Sequence, residues 1–216
     1  MRQISRLSVI AVSTALLITL SSCSSTQSTL EADDQPSTPI EKREMTTDVQ
    51  ENKANGDSPQ GSVTDAANFE ITENEDGTVT ISRYIGTETD IVIPSQIDGK
   101  TVSAIGNVTG TTGAFEGCTN ITSVVIPDGV TEIQDNAFYG CTSLETVTIP
   151  SGVTLLRNCA FCDCPNLRAV YFKGDAPQQA NYVFDSTENV TIYYQDGTSG
   201  WENPWHGRPA EVYIPE

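Results

Sequence analysis

The chain repeats itself from Ala114 to Cys159: residues 114–136 read AFEGCTNITSVVIPDGVTEIQDN, and residues 137–159 read AFYGCTSLETVTIPSGVTLLRNC. The two segments align without a gap, and eleven of the 23 positions are identical. A third copy opens at Ala160 as AFCDCPNLRAVYF and departs from the pattern at Lys173. Recurrence at a fixed period of about 20 to 50 residues indicates a repeat architecture, in which each unit packs on its neighbours.

Apolar residues recur within each unit at the spacing Leu-x-x-Leu-x-Leu, which is typical of leucine-rich repeats with a period of about 20 to 29 residues. A unit of this size cannot bury its apolar side alone, so stacked coils must share one continuous core. The short apolar runs are expected to pair as parallel strands. The predicted inward residues are Ile121, Val124 and Ile126, then Leu144, Val147 and Ile149, then Leu167, Val170 and Phe172.

The other repeat positions predict how each coil turns. Pro127 and Pro150 end the strand because proline lacks an amide donor. Gly129 and Gly152 allow the turn that follows. We expect the Ala-Phe pair that opens each unit to lie in a short helical turn at the back of the core. A second inward pair is predicted in each coil, at Val130 and Ile133 and at Val153 and Leu156.

These units closely resemble the BspA-like leucine-rich-repeat family, bacterial surface proteins whose repeats read Ala-Phe-x-x-Cys, then a Leu-x-x-Ile-x-Ile-Pro strand and a Val-x-x-Ile return. The resemblance covers roughly residues 69–213, because residues 80–106 are similar to the family's opening unit and residues 193–201 to its ending. It implies a leucine-rich-repeat solenoid that is mostly β, with a parallel sheet of short strands. One departure is a Gly/Thr-rich insertion at residues 107–113, which we expect to bulge as a loop.

The repeat domain is predicted to span residues 67–216. It divides into a capping unit at 67–113, repeats at 114–172, and an irregular unit with a cap at 173–216. A hairpin turning at residues 74–77 is expected to close the N-terminal edge, because the Asp-Gly pair suits a tight turn. The acidic residues of this turn are compatible with a calcium site, but we favour a solvated turn.

Residues 1–22 have the pattern of an export signal: Arg2 and Arg6 precede an uncharged apolar run that ends at Leu20. The run leads into Leu20-Ser21-Ser22-Cys23, which resembles the lipobox of bacterial lipoproteins. The resemblance implies that Cys23 is acylated and anchors the chain to a cell membrane or outer membrane, on the extracytoplasmic face. An ordinary signal peptide and an uncleaved anchor helix are the alternatives.

Residues 23–66 are predicted to form a disordered acidic linker after the lipidated cysteine. They are polar and aperiodic, and nine acidic residues outnumber three basic ones, so self-repulsion should extend the segment. The whole chain has 29 acidic and 11 basic residues, a net charge of −18. This charge argues against a nucleic-acid partner and is typical of solubility in an exposed protein.

Five cysteines follow Cys23, and three of them recur at one repeat position. Cys118, Cys141 and Cys164 are predicted to be buried thiols that fill the corner of each coil. Cys159 and Cys162 are additional to the repeat. Their spacing is compatible with a zinc site that would need a further ligand such as Cys141, but we favour a local disulfide or two partly exposed thiols.

No catalytic constellation stands out in the sequence, and no cofactor or metal site is expected. His206 is the single histidine, and it fits a solvated loop residue packed on Trp205 better than a catalytic base. Trp201 and Trp205 are interpreted as a cap on the last coil rather than as a sugar-binding platform. The chain is therefore not interpreted as an enzyme.

The outward face of the first strand in each coil is the candidate binding surface, because alternate strand residues point away from the core. The predicted central row is Val92, Val125, Thr148, Tyr171 and Tyr193, and Glu145 and Arg168 lie beside it. Two tyrosines add rigid amphipathic area that suits a peptide or a glycan, although β propensity alone also explains them. The candidate ligand-binding residues are Val125, Glu145, Thr148, Arg168, Tyr171 and Tyr193.

The family resemblance implies a surface-displayed binding module that adheres to or recognises a protein or glycan at the cell surface. A structural scaffold of the cell envelope is the alternative function, and a carbohydrate-active enzyme is a third, for which the sequence offers no identifiable carboxylate pair.

Overall fold

The computed structural model of the chain describes residues 61–107, 112–179 and 182–215. The predicted signal peptide, Cys23 and most of the predicted linker lie outside the described residues, as do residues 108–111 of the predicted loop. Within the described ranges, no helix is long and apolar enough to cross a membrane.

The regular elements of the described chain are almost all short strands. A 3-10 turn at Ala66–Asn68 precedes them. In chain order the strands are β1 (Phe69–Glu73), β2 (Val79–Tyr84), β3 (Asp90–Val92), β4 (Gln96–Ile97), β5 (Lys100–Ile105), β6 (Ser123–Val125), β7 (Glu132–Ile133), β8 (Thr146–Ile149), β9 (Leu155–Leu156), β10 (Ala169–Phe172), β11 (Gln178–Gln179), β12 (Thr191–Gln195) and β13 (Ala210–Tyr213).

Each repeat coil contributes one strand to each of two sheets. The front sheet has the order β13-β12-β10-β8-β6-β3, and the back sheet has the order β1-β2-β5-β7-β9-β11, with β4 paired to β5. Neighbouring coils pair in parallel in both sheets, as a stacked solenoid requires. The leucine-rich-repeat fold is thus confirmed, and the second inward pair of each coil turns out to lie on or beside a strand of its own.

The strand register follows the sequence repeat. Val124 pairs with Val147 and Val147 with Val170, each one repeat apart. The predicted inward residues of both sheets are buried, at 3% exposure or less. They form one continuous hydrophobic core along the solenoid. Burial of a Val, Leu or Ile side chain stabilises the fold by about 1.5 to 3 kcal/mol, so every coil depends on its neighbours.

The Ala-Phe segment forms hydrogen-bonded turns, and the predicted short helical turn is wrong. Its amides alternate between two kinds of partner: the amide of Cys141 donates within the turn to the Phe138 carbonyl. The amides of Phe138 and Gly140 donate instead to Ala160 and Cys162 in the next coil. In a helix all these amides would donate to carbonyls of the same segment. Here every second amide donates to the next coil instead and so joins the two coils.

The N-terminal edges of both sheets are covered. The predicted hairpin is confirmed, because β1 and β2 pair antiparallel across the turn at residues 74–77. The Asp76 carboxylate accepts hydrogen bonds from the Thr78 amide and hydroxyl, which lower the pKa of Asp76. On the front sheet, Thr64 exchanges hydrogen bonds of 2.9 and 3.1 Å with Val92 of β3. The segment before the domain therefore satisfies the edge strand that would otherwise be unpaired.

The repeat continues past Lys173, into the segment predicted to be irregular. In the back sheet Gln178 pairs with Leu155, which lies one full repeat earlier in the chain. In the front sheet Tyr193 pairs with Tyr171, and their separation falls one position short of a full repeat. The fourth coil is therefore complete but slightly shorter on that side, and it precedes the C-terminal cap.

Candidate binding face

The outward row of the front sheet forms as the sequence predicted. Val92, Val125, Thr148, Tyr171 and Tyr193 are direct Cα partners from strand to strand. Glu211 of β13 extends the row by one position. Because neighbouring strands lie about 4.8 Å apart, these side chains form a continuous line across the solenoid.

Thr148 is not available on this face, and its prediction as an exposed candidate residue is wrong. Its exposure is 6%, whereas Val125 and Tyr171, its partners on either side, are half-buried. Thr148 is a short side chain between two paired strands, whose residues Val125 and Tyr171 are its Cα partners. The row therefore offers little contact area at its centre.

The C-terminal part of the face carries a cluster of three tyrosines. The rings of Tyr171 and Tyr193 stack at a centroid distance of 5.1 Å, with 17° between their planes. The ring of Tyr213 meets Tyr171 edge-on at 5.6 Å. All three residues are half-buried, so part of each remains accessible to solvent. We call Tyr171, Tyr193 and Tyr213 the tyrosine cluster.

Burial raises the pKa of each phenol in the tyrosine cluster above its usual value near 10. A neighbouring phenol raises the pKa further in two cases: Tyr193 acts on Tyr171, and Tyr171 acts on Tyr213. The Glu211 carboxylate raises the pKa of Tyr193 in the same way. The hydroxyls therefore stay protonated at neutral pH and can both donate and accept hydrogen bonds. Stacked rings with polar tips form a rigid amphipathic surface.

Tyr213 is the member of the cluster that the sequence did not indicate. Its strand pairs with β12 so that Ala210 is the partner of Ile192. These two positions are closer in sequence than one repeat period, so alignment of repeats does not place Tyr213 beside Tyr171. The strand-like pattern Ala-Glu-Val-Tyr was the available signal.

Glu145 and Arg168, the two charged candidates, lie side by side and pair with each other. The Arg168 guanidinium donates to the Glu145 carboxylate at 2.7 Å, and both side chains are substantially exposed. Exposed ion pairs of this kind contribute about 0 to 1 kcal/mol, because water competes for both charges. The pair is accessible to a ligand, but a ligand must compete with the existing contact.

The N-terminal part of the face is polar and internally bonded. The Asp90 carboxylate accepts hydrogen bonds from the Ser123 hydroxyl at 2.6 Å and the Thr122 hydroxyl at 3.0 Å. The Ser123 bond is the main cause of the lowered pKa of Asp90. Since these groups satisfy one another, this end offers fewer uncommitted polar groups than the tyrosine cluster.

The recurrent cysteines have the structural role that the sequence predicted. Cys118, Cys141 and Cys164 are buried thiols, and burial raises the pKa of Cys164 to about 12. The sulfurs of Cys141 and Cys164 each lie 3.1 Å from the carbonyl oxygen of the phenylalanine one coil earlier. Thr187 occupies the same position in the fourth coil, and its hydroxyl donates to the Phe161 carbonyl at 2.7 Å.

Cys159 and Cys162 form a local disulfide, which is one of the two alternatives that the sequence favoured over a zinc site. In the described part of the chain, no group of three or more His, Cys, Asp and Glu side chains is placed to hold a metal ion. The zinc alternative therefore has no cluster to support it among these residues.

The tryptophans cap the last coil, as expected. Trp205 is 3% exposed and contacts Phe172, Phe184 and Trp201, with centroid distances of 4.9 to 6.3 Å. Trp201 stacks on Tyr194 at 5.1 Å. His206 is exposed and packs edge-on against Trp205. These rings cover the open end of the core, which a terminal coil needs.

Comparison with known proteins agrees with this architecture. Residues 103–200 match, in six copies, the family described as "BspA type Leucine rich repeat region". No curated protein matches the chain.

Three solved structures are similar over most of the chain. A leucine rich cell surface protein from Faecalibacterium prausnitzii is 31% identical, with a TM-score of 0.51, over 74% of this chain and 44% of its own length. A leucine-rich-repeat protein from Bacteroides capillosus is 25% identical, with a TM-score of 0.50, over 61% of this chain and 99% of its own. The Leucine Rich Repeat protein of T. pallidum is 23% identical, with a TM-score of 0.52, over 72% and 84%, and it supports the fold alone.

The chain thus spans less than half the length of the Faecalibacterium protein. The match and the two-sheet solenoid agree on a leucine-rich-repeat fold. Residues 103–200 are similar to the BspA type of leucine-rich-repeat region.

Proposed function

We propose that this protein is a surface-displayed binding module that recognises a protein or glycan partner through the C-terminal part of its front sheet. The observation that carries the proposal is the tyrosine cluster, in which Tyr171 and Tyr193 stack at 5.1 Å and stay partly exposed. Rigid aromatic side chains give a large contact area at a low entropic cost, and tyrosine is enriched at the energetic centres of interfaces.

Display at a cell surface rests on two supports. The Faecalibacterium relative is named as a cell surface protein. The export signal and the lipobox-like residues that end at Cys23 would attach this chain by its N-terminus to the outer face of a membrane. The acidic segment that follows would hold the repeats away from an anionic bilayer.

A scaffold of the cell envelope is the second candidate, and the outer edge of β13 favours it. Val212 and Ile214 are 53% and 76% exposed at this end of the front sheet. An edge strand with apolar side chains can add a further strand from another chain. Recovery of only copies of this chain or of envelope proteins would support the scaffold over recognition of an external partner.

The test uses a soluble form that begins at Ser24, and therefore lacks the predicted signal and the acylated cysteine. It is applied to a glycan array and to pull-downs of surface proteins. We expect a saturable ligand whose binding is lost in the double variant Tyr171→Ala/Tyr193→Ala. The matched control is Tyr139→Ala, which removes a tyrosine of 37% exposure from another side of the coil. Equal binding by both variants would contradict the proposal.

A further inference from the structure

A second surface feature lies at the C-terminal cap, apart from the tyrosine cluster. A cleft of about 210 Å³ opens between the turn that carries Phe184 and the turn at residues 205–208. Pockets for drug-sized ligands are larger, roughly 300 to 1,000 Å³, so this cleft has room for one small group. Its lining residues are Tyr182, Val183, Phe184, Asp185, His206 and Arg208.

One wall of the cleft is a rigid turn. Trp205 and Arg208 exchange two main-chain hydrogen bonds of 2.9 and 3.0 Å. The two residues between them, His206 and Gly207, have φ values of 47° and 76°, as in the type I′ turn of a tight hairpin. Trp205 is buried in the cap, so the turn that presents Arg208 is fixed to the core.

Arg208 differs from the other arginines of the described ranges. Arg83, Arg157 and Arg168 are each within ion-pair distance of a glutamate. Arg208 donates from Nη2 to the Phe184 carbonyl at 2.8 Å. Its Nε is buried and, among the described residues, has no hydrogen-bond partner.

The chain has 29 acidic residues, yet within the described ranges none forms an ion pair with Arg208. A guanidinium recognises a carboxylate through paired hydrogen bonds. Arg208 lines the cleft and is only partly buried, so the exposed part of its guanidinium can meet the carboxylate of a ligand, whereas its buried Nε lies out of reach of one.

We propose that this cleft binds an acidic sugar, with the sugar carboxylate on Arg208. Asp185 also lines the cleft and is exposed, so it would repel a simple anion but would accept hydrogen bonds from sugar hydroxyls. Tyr182, which is 71% exposed, offers a ring on which the apolar face of a sugar can pack. A carboxylate and hydroxyl groups on one small ring match all three side chains.

The site does not depend on the tyrosine cluster, so the two proposals can fail separately. The test is calorimetric titration of the soluble chain from Ser24 with sodium glucuronate and with N-acetylneuraminate. Glucose tests the hydroxyls without the carboxylate, and acetate tests the carboxylate without the ring. We expect at least one acidic sugar to bind at least about tenfold more tightly than glucose or acetate. Binding of neither acid, or equal binding of acetate, would overturn the proposal.

Variants assign the binding to these residues. Arg208→Gln should weaken binding of the acidic sugar by about tenfold or more, because it removes charge-assisted hydrogen bonds to the sugar carboxylate. Asp185→Ala should also weaken binding, because it removes the oxygen atoms that accept hydrogen bonds from the sugar hydroxyls. Arg208 also supports the cap, so thermal melting must show that the variant folds; Asp185 is exposed, and its variant provides a test that does not disturb packing. Arg168→Gln is the matched control and should bind normally, as should Tyr171→Ala/Tyr193→Ala. An equal loss in Arg168→Gln would refute the assignment.

Discussion

Two aromatic stacks run along this solenoid with nearly the same geometry and opposite surroundings. Inside the core, the rings of Phe138 and Phe161 stack at 5.1 Å, and both residues are 0% exposed. On the front sheet, the rings of Tyr171 and Tyr193 also stack at 5.1 Å, but they are half-exposed. Stacking distance alone therefore does not distinguish an aromatic group that supports the fold from one that is free to bind.

Recurrence separates the two stacks. The inner stack contributes one ring per coil and runs without interruption; its members are Tyr84, Phe115, Phe138, Phe161 and Phe184. The outer row holds valine or threonine at the same position in the earlier coils and tyrosine only toward the C-terminal end. A feature that every coil needs recurs at the period of the fold, whereas the tyrosine cluster is an addition that the fold does not require.

The largest expected effect comes from breaking the inner stack. Phe138→Ala removes a fully buried ring between two stacked neighbours and should lower the free energy of unfolding by about 3 to 5 kcal/mol. Urea denaturation followed by circular dichroism measures this loss. The neighbouring Tyr139→Ala is the control: its ring is 37% exposed, and we expect a loss of about 1 kcal/mol or less. Similar losses in the two variants would remove the distinction between inside and outside.

The cysteine position beside the inner stack gives a pH-dependent test. In the folded state burial raises the pKa of Cys164 to about 12, whereas the unfolded thiol titrates near its ordinary value of 9. Above that pH the unfolded chain loses the proton first, so the stability that depends on the neutral thiol is lost as pH rises from 9 toward 12. For this group the loss should reach about 1 kcal/mol at pH 10.

Cys164→Thr should fold and show less of this alkaline loss. Thr187 already occupies the equivalent position in the next coil and makes the equivalent hydrogen bond, so a threonine fits the corner. Urea unfolding at pH 8 and pH 10 gives the comparison, with Cys164→Ala as the control that lacks the hydrogen bond. The interpretation fails if wild type and Cys164→Thr lose the same stability between the two pH values.

The sequence predicts the inner side of this molecule well, because burial constrains residue type at every turn of the coil. The spacing of Leu144, Val147 and Ile149 identified both the strand and its inward face, and these residues are buried as predicted. The segment that begins at Ala137 and Phe138 was expected to form a short helical turn, but the structure has hydrogen-bonded turns there. Its hydrogen bonds to the next coil are a property of the stack, and no single repeat shows them.

The outer face is less predictable, because its side chains obey no period. The register placed Tyr171 beside Tyr193 correctly, but the low exposure of Thr148 depends on the particular neighbours that cover it. Tyr213 and Arg208 lie after the fourth coil, in the C-terminal cap, where alignment of the repeats gives no guide. The positions of these two residues depend on how the C-terminal cap packs, which the repeat pattern does not show.

The smallest expected effect concerns the backbone of the turn that carries the inner stack, and it tests whether the C-terminal coils depart from the ideal repeat. One turn position has a left-handed backbone in four coils, occupied by Gly117 and Gly140 in the earlier coils and by Asp163 and Ser186 in the later ones, with φ between 53° and 69°. A side chain in this region costs about 1 to 2 kcal/mol, which glycine avoids, although glycine also makes the unfolded chain more flexible.

Ser186→Gly should therefore stabilise the fold by about 0.5 to 1 kcal/mol, or raise its melting temperature by about 2 °C. Gly140→Ser should lower the melting temperature by a similar amount, because a Cβ at Gly140 meets no atom closer than 3.9 Å and adds backbone strain alone. Equal and opposite shifts would show that the later coils carry strain that the earlier ones avoid. If Ser186→Gly leaves the melting temperature unchanged, serine is tolerated at this position as well as glycine is. The left-handed position then does not distinguish the two ends of the solenoid, and the tyrosines of the outer face remain the difference between them.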